Sequence, residues 1–278
     1  MLDLFDVVPG PDGRFAGVSD GGTRRVVDGS QLLGQAVVAV SKSLPEHIVR
    51  SAHAVFTRAV DDEYPLWFEV EVTHRGRTVA AAVVTAGQGD RRCATVSVLC
   101  DVPGPEVVRH AAPPPDLGVP DQAVPYAMPM EGRRLRLVGM ADPNDPDEVG
   151  PAVLDAWVAY DPVPDRPDLA RALLAHFTGH LSVSATLRAH PGVGTAQAHD
   201  TLSTAVLSIT VVFHHPAVWE GWLLYHHEST QAGGGMSYVR GQVFTEQGTL
   251  LASFAQEGLI RPFGAGSAAA SLPVEARL

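Results

Sequence analysis

Histidines and carboxylates are the side chains of this chain best suited to chemistry, and several of the histidines are adjacent in sequence. His214-His215 and His226-His227-Glu228 contain residue types that bind zinc. Both runs lie in stretches that alternate like β-strands, where neighbouring side chains point to opposite faces. Neither run can therefore close around one ion, and no HExxH spacing occurs. We predict no metal site.

The charge balance limits the class of ligand. The chain of 278 residues carries a formal net charge of −11, which argues against a general nucleic-acid binder, because such proteins neutralise phosphates with clustered Lys and Arg. An anionic ligand must then find a local basic pocket. Gly233-Gly234-Gly235 lacks the Lys-Ser or Lys-Thr of a phosphate loop and is predicted to be a bend between strands.

Two apolar stretches are long enough for helices that could position such groups. Residues 30–43 are apolar on nearly every face, which is typical of a buried helix, and Ser30 is the expected N-terminal cap. Pro167 opens a second helix, predicted over residues 169–188.

Strand-like alternation accompanies each helix. The strands predicted after the first helix are 49–58, 65–74, 77–86 and 92–100. Those predicted around the second helix are 153–160, 203–214, 221–229, 236–246 and 249–261. The pattern suggests a duplication, since four residues recur 155 to 159 positions later: Phe56, Trp67, Gly76 and Gln88 as Phe213, Trp222, Gly234 and Gln247.

The predicted class is α+β in two units. We place an N-terminal unit at 1–101, a Pro-rich linker at 102–150, a C-terminal unit at 151–265 and a flexible tail at 266–278. No apolar run reaches the ~20 residues that span a bilayer, and acids occupy the N-terminus where a signal peptide has bases. We expect a cytoplasmic protein without membrane insertion.

Short motifs occur in a fixed order over residues 5–261. They are Gly29-Ser30-Gln31-Leu32-Leu33-Gly34-Gln35, His53-Ala54-Val55-Phe56-Thr57-Arg58, Arg75-Gly76-Arg77-Thr78, Phe213-His214-His215-Pro216, Trp222-Leu223-Leu224-Tyr225, Glu228-Ser229-Thr230 and Gln256-Glu257-Gly258-Leu259-Ile260-Arg261. The set resembles the type II acyl-CoA thioesterases, which open with Gly-Gly-Gln-x-x-Gly-Gln. This resemblance implies a double hotdog fold, in which each of two tandem units wraps an antiparallel sheet around a long buried helix.

The resemblance also implies a catalytic set. Family members are similar in holding an Asp on the second buried helix, a Thr or Ser on the following strand and a Gln near the C-terminus, which orient and activate a water. Here Gly179 stands in place of the Asp and Val206 in place of the Thr or Ser, so only Gln256 carries over.

Other residues near the altered positions are candidates to compensate. His180 follows Gly179 and can act as a base near neutral pH, although a structural histidine would read the same way. The predicted catalytic residues are Gln256, His180, Thr178, Thr204 and Ser208.

For substrate binding, the prediction names four residues. Arg75 and Arg77 flank a hairpin and either meet the phosphates of coenzyme A or are simply solvated. Gly34 and Gly179 complete the predicted substrate-binding set.

The implied activity is that of a hydrolase of lipid metabolism, which splits fatty acyl-CoA into free acid and coenzyme A without a cofactor, since coenzyme A is part of the substrate. Gly179 and Val206 favour an alternative, a catalytically silent protein that binds acyl-CoA or an acyl carrier. A different acyl-thioester reaction, such as hydration, has no motif in its favour. A homodimer or larger homo-oligomer is expected because hotdog sheets often associate.

Overall fold

Alternating apolar residues build most of this protein as antiparallel strands. The computed structural model describes residues 2–128, 130–217 and 219–263. The helices are α1 (Gly29–Ser43), α2 (Pro167–Phe177) and α3 (Ser182–Leu187). The strands are β1 (Val8–Pro9), β2 (Phe15–Gly17), β3 (Val26–Val27), β4 (Ile48–Phe56), β5 (Val60–Asp61), β6 (Leu66–Arg75), β7 (Val79–Gln88), β8 (Arg91–Asp101), β9 (Val124–Pro125), β10 (Arg133–Val138), β11 (Val153–Tyr160), β12 (Leu202–Phe213), β13 (Leu223–Gly233), β14 (Met236–Thr245) and β15 (Leu250–Pro262).

The first of two units contains α1 and α2. It takes its described residues from Met1–Ala112, Pro164–Gly179 and Ser208–Ala217. Its strands lie in the order β1, β2, β6, β7, β8 and β4, with residues 208–212 of β12 paired antiparallel to β4. Every residue of α1 from Ser30 to Val40 is buried, as predicted for a helix apolar on most faces.

The start of α1 differs from the prediction. The helix begins at Gly29, Asp28 occupies the N-cap position, and the Asp28 side chain makes no capping hydrogen bond. The prediction of Ser30 as cap is therefore wrong, because Ser30 lies inside the first turn. An Asp28 carboxylate oxygen instead lies 2.8 Å from Arg24 Nη2.

The second predicted helix is broken. Residues 169–188 form α2 and α3 rather than one helix, since the turn after Phe177 tightens: the N–H groups of Thr178 and Gly179 donate to Ala175 and His176. Leu181 then takes the left-handed conformation, with φ of 64°, and its side chain is buried. Apolar residues continue through the break, so hydrophobic periodicity alone predicts an uninterrupted helix.

The second unit is a sheet with α3 packed against it. It takes its described residues from Pro113–Val163, His180–Leu207 and Val218–Leu278. Its strand order is β15, β14, β13, β11, β10 and β9, with the first half of β12 beside β15. The sheet face opposite α3 carries a buried cluster: Ala123, Trp157, Leu224, Phe244 and Leu250.

The predicted linker contains a strand that the sequence reading missed. β10 pairs antiparallel with β11, and its burial alternates because Leu135 and Leu137 point inward. Three arginines among its six residues, Arg133, Arg134 and Arg136, hide this alternation in composition.

The two units of the structure also differ from the predicted domain boundaries, because α2 belongs with α1 in the first unit. The predicted tail at 266–278 lies outside the described residues. Within the described residues, no helix is long and apolar enough to cross a membrane.

Candidate active site

In the first unit, Gly179 and Ser30 fill the same space. A Cβ atom built on Gly179 would lie 2.3 Å from Ser30 Cβ and 2.5 Å from Ser30 Oγ, closer than real Cβ atoms approach. Ser30 is almost wholly buried, so it has little room to move. Position 179 therefore has no room for a side chain while Ser30 is present.

An acid and an imidazole lie beside this contact. Asp28 precedes the first residue of α1, and His176 lies in the last turn of α2. A carboxylate oxygen of Asp28 and a ring nitrogen of His176 lie within 4.8 Å of each other. His176 is buried and packs edge-on against the Phe5 ring, with centroids 5.2 Å apart.

Such a pair can hold and deprotonate a water. An imidazole accepts a proton near neutral pH, and a nearby carboxylate stabilises the imidazolium that results. The N-terminus of α1 adds partial positive charge, which favours an anion there. Aspartate and histidine are also residue types that ligate metal ions.

Thr178, a predicted catalytic residue, takes part in ending α2. Its hydroxyl donates to the Ala175 carbonyl at 2.6 Å, and the side chain is fully buried. Because that proton is used by a helix carbonyl, Thr178 keeps only acceptor capacity for other partners.

Ser208, also predicted as catalytic, is buried, but it lies on the opposite side of β12 from the core residues Ile209 and Val211. It pairs with Val55, which is 40% exposed, whereas the next residue, Ile209, pairs with the buried Ala54. Neighbouring residues of a strand face opposite sides, so Ser208 shares the side of the His53 ring, whose Nδ1 lies 2.8 Å from Thr210 Oγ1.

Three predicted substrate-binding residues lie in this unit: Arg75, Arg77 and Gly34. Arg75 donates a 2.8 Å hydrogen bond from its guanidinium to the Ser43 carbonyl, while Arg77 is exposed in the turn between β6 and β7. Gly34 lets α1 and α2 approach: a Cβ there would lie 2.9 Å from Phe5 and 3.0 Å from the Ala172 carbonyl.

In the second unit, Gln256 is buried on the sheet face that carries Phe254. It pairs with Val239, which in turn pairs with Ser229, so the three form one cross-strand row. Thr186 of α3 places its Oγ1 3.0 Å from Ser229 Oγ. These neighbours are uncharged, and the Gln256 amide itself can donate and accept hydrogen bonds but cannot act as a base.

His227 adds a neutral imidazole to the same face. Its Nδ1 lies 3.1 Å from the Leu154 carbonyl, which can only accept, so Nδ1 carries the proton. The ring contacts Phe254 at 5.1 Å between centroids. Burial is the main cause that lowers the pKa of His227 to about 4, so the ring is uncharged at neutral pH.

The neighbouring histidine lies on the other face, as the alternation predicted. His226 Nδ1 lies 2.6 Å from an Asp155 carboxylate oxygen, and this hydrogen bond raises the pKa of His226 despite partial burial. The two rings thus have opposite shifts in pKa.

The remaining predicted residues of this unit are Thr204 and His180. Thr204 is buried, with Oγ1 3.5 Å from His199 Nε2, at the outer limit of a hydrogen bond. His180 is half-buried and directly precedes the left-handed Leu181.

Comparison with known proteins covers both halves of the chain. Residues 20–100 match the family model described as the acyl-CoA thioesterase N-terminal domain, and residues 105–260 match the one described as the C-terminal domain. The chain belongs to the acyl-CoA thioesterase family. This confirms the family that the ordered motifs suggested.

Individual relatives agree with the family match. Acyl-CoA thioesterase 2 of Haemophilus influenzae is 28% identical over 267 residues, 89% of this chain and 92% of that protein. The structure of the tesB protein of Mycobacterium avium subspecies paratuberculosis has a TM-score of 0.79 at 25% identity, covering 94% of this chain and 98% of that one. A hot dog fold protein from Alicyclobacillus acidocaldarius has a TM-score of 0.76 at 17% identity, covering 93% and 97%. The fold of this thioesterase family member is therefore of the hotdog kind.

The sequence reading missed two parts of this site. Asp28 and His176 carry no motif, and only packing of α1 on α2 brings them together. Ser30 did leave a signal, because it replaces a glycine of the Gly-Gly-Gln opening that the motif otherwise follows. The resemblance implies a larger residue than the family carries at position 30 and a smaller one at position 179, an exchange of volume that agrees with the contact between Ser30 and Gly179.

Proposed function

We propose that this protein hydrolyses acyl-CoA thioesters to the free acid and coenzyme A, using water activated by His176 and Asp28. The family match across both halves of the chain carries the reaction class, and the proximity of the two side chains beside Gly179 supports the choice of base. The named thioesterases among the relatives favour hydrolysis over the silent binding role.

The reaction has two demands that these residues can meet. Water must lose a proton as it attacks the thioester carbonyl, and the His176 imidazole takes it while Asp28 stabilises the imidazolium. The carbonyl oxygen then becomes an oxyanion, after which the carbon–sulfur bond breaks and the imidazolium returns its proton to the coenzyme A thiolate.

Gln256 is the residue that the family resemblance assigns to water or oxyanion. Its amide N–H groups can donate to either, while the amide cannot remove a proton. The uncharged row around Gln256 suits a donor whose hydrogen bonds are strengthened by a low local dielectric.

We also infer that the chain consists of two hotdog units in tandem. Two helix-and-sheet units, each antiparallel, support this reading, and the twofold recurrence of Phe, Trp, Gly and Gln agrees with it. A cytoplasmic location remains a prediction from the sequence, and a homo-oligomer remains a prediction of the family resemblance.

Thiol release from acyl-CoAs of short to long chain length tests the proposal. The unmodified protein should release coenzyme A well above background, and Gln256→Ala should lower kcat by about 10²- to 10³-fold. Gln242→Ala is the matched control, because Gln242 lies opposite His226 on the other face of the sheet. Tight binding of acyl-CoA in calorimetry without any thiol release would contradict hydrolysis.

A further inference from the structure

A cleft in the second unit combines guanidinium groups with aromatic rings. Its volume is about 450 Å³, and its lining includes Tyr126, Met130, Arg133, Arg134, Arg136 and Trp222. Clefts that hold small molecules typically measure ~300–1,000 Å³, so the space suits a ligand of moderate size.

The pleat of β10 aims two of these arginines at one ring. Arg134 and Arg136 are two residues apart and therefore share a face. Their guanidinium carbons lie 4.9 Å and 5.5 Å from the centroid of the Trp222 ring. Contact with the ring orients both cations and leaves the N–H groups of Arg134 for an anion.

The arginines differ in how far protein groups already satisfy them. Among the described residues, no carboxylate pairs with Arg134, which is exposed. Arg136 donates to the Pro120 carbonyl at 3.1 Å and lies 3.3 Å from an Asp121 carboxylate oxygen that is almost fully exposed. Glu246 is a further acid here and accepts from the Trp222 backbone N–H at 3.4 Å.

Arg133 and Tyr126 shape the rim of the cleft. Arg133 points to the other face of β10 and donates two hydrogen bonds to the Met128 carbonyl, at 2.7 and 3.1 Å. Tyr126 donates its backbone N–H to Leu135 and accepts a bond from Asn144 at its hydroxyl. Both contacts hold the segment before β10 against the strand.

We propose that this cleft binds a nucleoside phosphate, with Arg134 and Arg136 on the phosphate oxygens and Tyr126 beside the base. Guanidinium groups bind phosphate in a bidentate fashion, and an aromatic side chain adds stacking that inorganic phosphate cannot use. In a protein of net charge −11, a local pair of cations is what such a polyanion requires.

Two sources of ligand share this chemistry. One is the nucleotide end of coenzyme A, in which case the site deepens the proposed function and rests on it. The other is a free nucleotide that binds independently of the thioester reaction.

Calorimetry on the full chain tests the site itself. The probes are adenosine 3′,5′-bisphosphate, ADP and inorganic phosphate, and the variants are Arg134→Gln and Arg136→Gln. We expect at least one nucleotide to bind more tightly than phosphate and Arg134→Gln to weaken it about tenfold, as loss of a charge-assisted hydrogen bond does. Arg240→Gln is the control, since Arg240 is also an exposed cation of this unit and already pairs with Glu228 at 2.8 Å.

The proposal is overturned if neither nucleotide binds at millimolar concentration, or if Arg134→Gln and Arg240→Gln bind nucleotide equally well. Arg134 and Arg136, the two arginines of the cleft, are at the surface of β10. Thermal unfolding of the variants checks that they remain folded.

Kinetics then separate the two sources. If the nucleotide end of coenzyme A occupies the cleft, Arg134→Gln raises KM for acyl-CoA about tenfold and leaves KM for acyl-pantetheine, which lacks the nucleotide, unchanged. If a free nucleotide is the ligand, both KM values stay constant while ADP binding is lost. A protein that binds nucleotide but releases no thiol would refute the proposed hydrolysis and leave the cleft as a nucleotide site.

Discussion

The two units of this protein place different chemistry on their buried faces. The first brings the Asp28 carboxylate to within 4.8 Å of the His176 imidazole. The second presents the Gln256 amide, hydroxyl groups and His227, whose pKa of about 4 keeps the ring neutral. The first unit therefore offers an imidazole beside a carboxylate, which is the arrangement of a general base, while the face around Gln256 offers neutral hydrogen-bonding groups.

The difference traces back to the two long helices. α1 is continuous over 15 residues and starts at Gly29, directly after Asp28. The helix expected to match it in the second half breaks after Phe177, which allows Gly179 to press against Ser30. Position 179 therefore has no room for the acid that the family resemblance implies there.

Substitution of His176 is the most direct test of this difference between the two units. His176→Gln keeps a polar group of similar size but removes the base, and we expect kcat for acyl-CoA hydrolysis to fall by about 10²- to 10⁴-fold. Asp28→Asn should give a smaller loss, because the imidazole remains. The measurement is thiol release under saturating substrate, as a function of pH.

His53→Gln is the control for that experiment, since His53 lies on the exposed face of β4. Its activity should match the unmodified protein. If His176→Gln retained full activity with an unchanged pH profile, the base would have to be sought elsewhere.

Placing an acid at position 179 tests the exchange of volume between this position and Ser30. Gly179→Asp alone should lower the free energy of unfolding by about 3 kcal/mol, because its Cβ would overlap Ser30. Adding Ser30→Gly clears the space, so the double variant should be more stable than Gly179→Asp even though glycine in a helix costs up to about 1 kcal/mol. Urea unfolding of both single variants and the double variant measures the coupling. If the two substitutions had additive effects on the free energy of unfolding, this would contradict the conclusion that residues 179 and 30 compete for the same space.

The neighbouring histidines of β13, His226 and His227, should respond to pH in opposite ways. His227 has a folded pKa of about 4, below the ~6.5 of an unfolded chain, so its contribution to stability is present above pH 6.5 and lost as the pH falls toward 4. We expect the unmodified protein to lose about 2 kcal/mol from this residue between pH 7 and pH 5. His227→Gln should remove that loss in urea unfolding at the two pH values.

The pKa of His226 is shifted in the opposite direction, so its contribution to stability changes with pH in the opposite sense. The hydrogen bond to Asp155 raises its folded pKa, so its contribution is present below the unfolded value and lost as the pH rises through the folded one. His226→Gln should therefore steepen the loss of stability on acidification. Equal pH profiles for the two variants would refute the assignment of these environments.

Local patterns in the sequence were sufficient for most of the elements. Burial of α1, the long strands of both units other than β10, and the Gly233–Gly235 turn follow from hydrophobic periodicity and turn residues. The break before Leu181 did not follow, because a left-handed leucine costs local energy that only tertiary burial repays. β10 was missed because three arginines obscure its two buried leucines.

The sequence alone predicts only part of the candidate site. Through the family resemblance, the motif order names Gln256 and Gly179 as candidates by their spacing along the chain. The approach of Asp28 to His176 depends on how α1 packs on α2, and their separation of nearly 150 residues leaves no local pattern to read. Ser30 is the one residue of that region whose identity carried a usable signal.

The smallest effect concerns Thr178, at the end of α2. Thr178→Val keeps the shape of this fully buried side chain but removes the hydroxyl that donates to Ala175 at 2.6 Å. If that hydroxyl serves the helix end, stability should fall by about 1 kcal/mol while kcat stays within twofold of the unmodified protein. Urea unfolding and thiol release on the same sample separate the two roles. A large fall in kcat at unchanged stability would instead place Thr178 in the catalytic machinery of the first unit and weaken the case for His176 and Asp28 as sufficient.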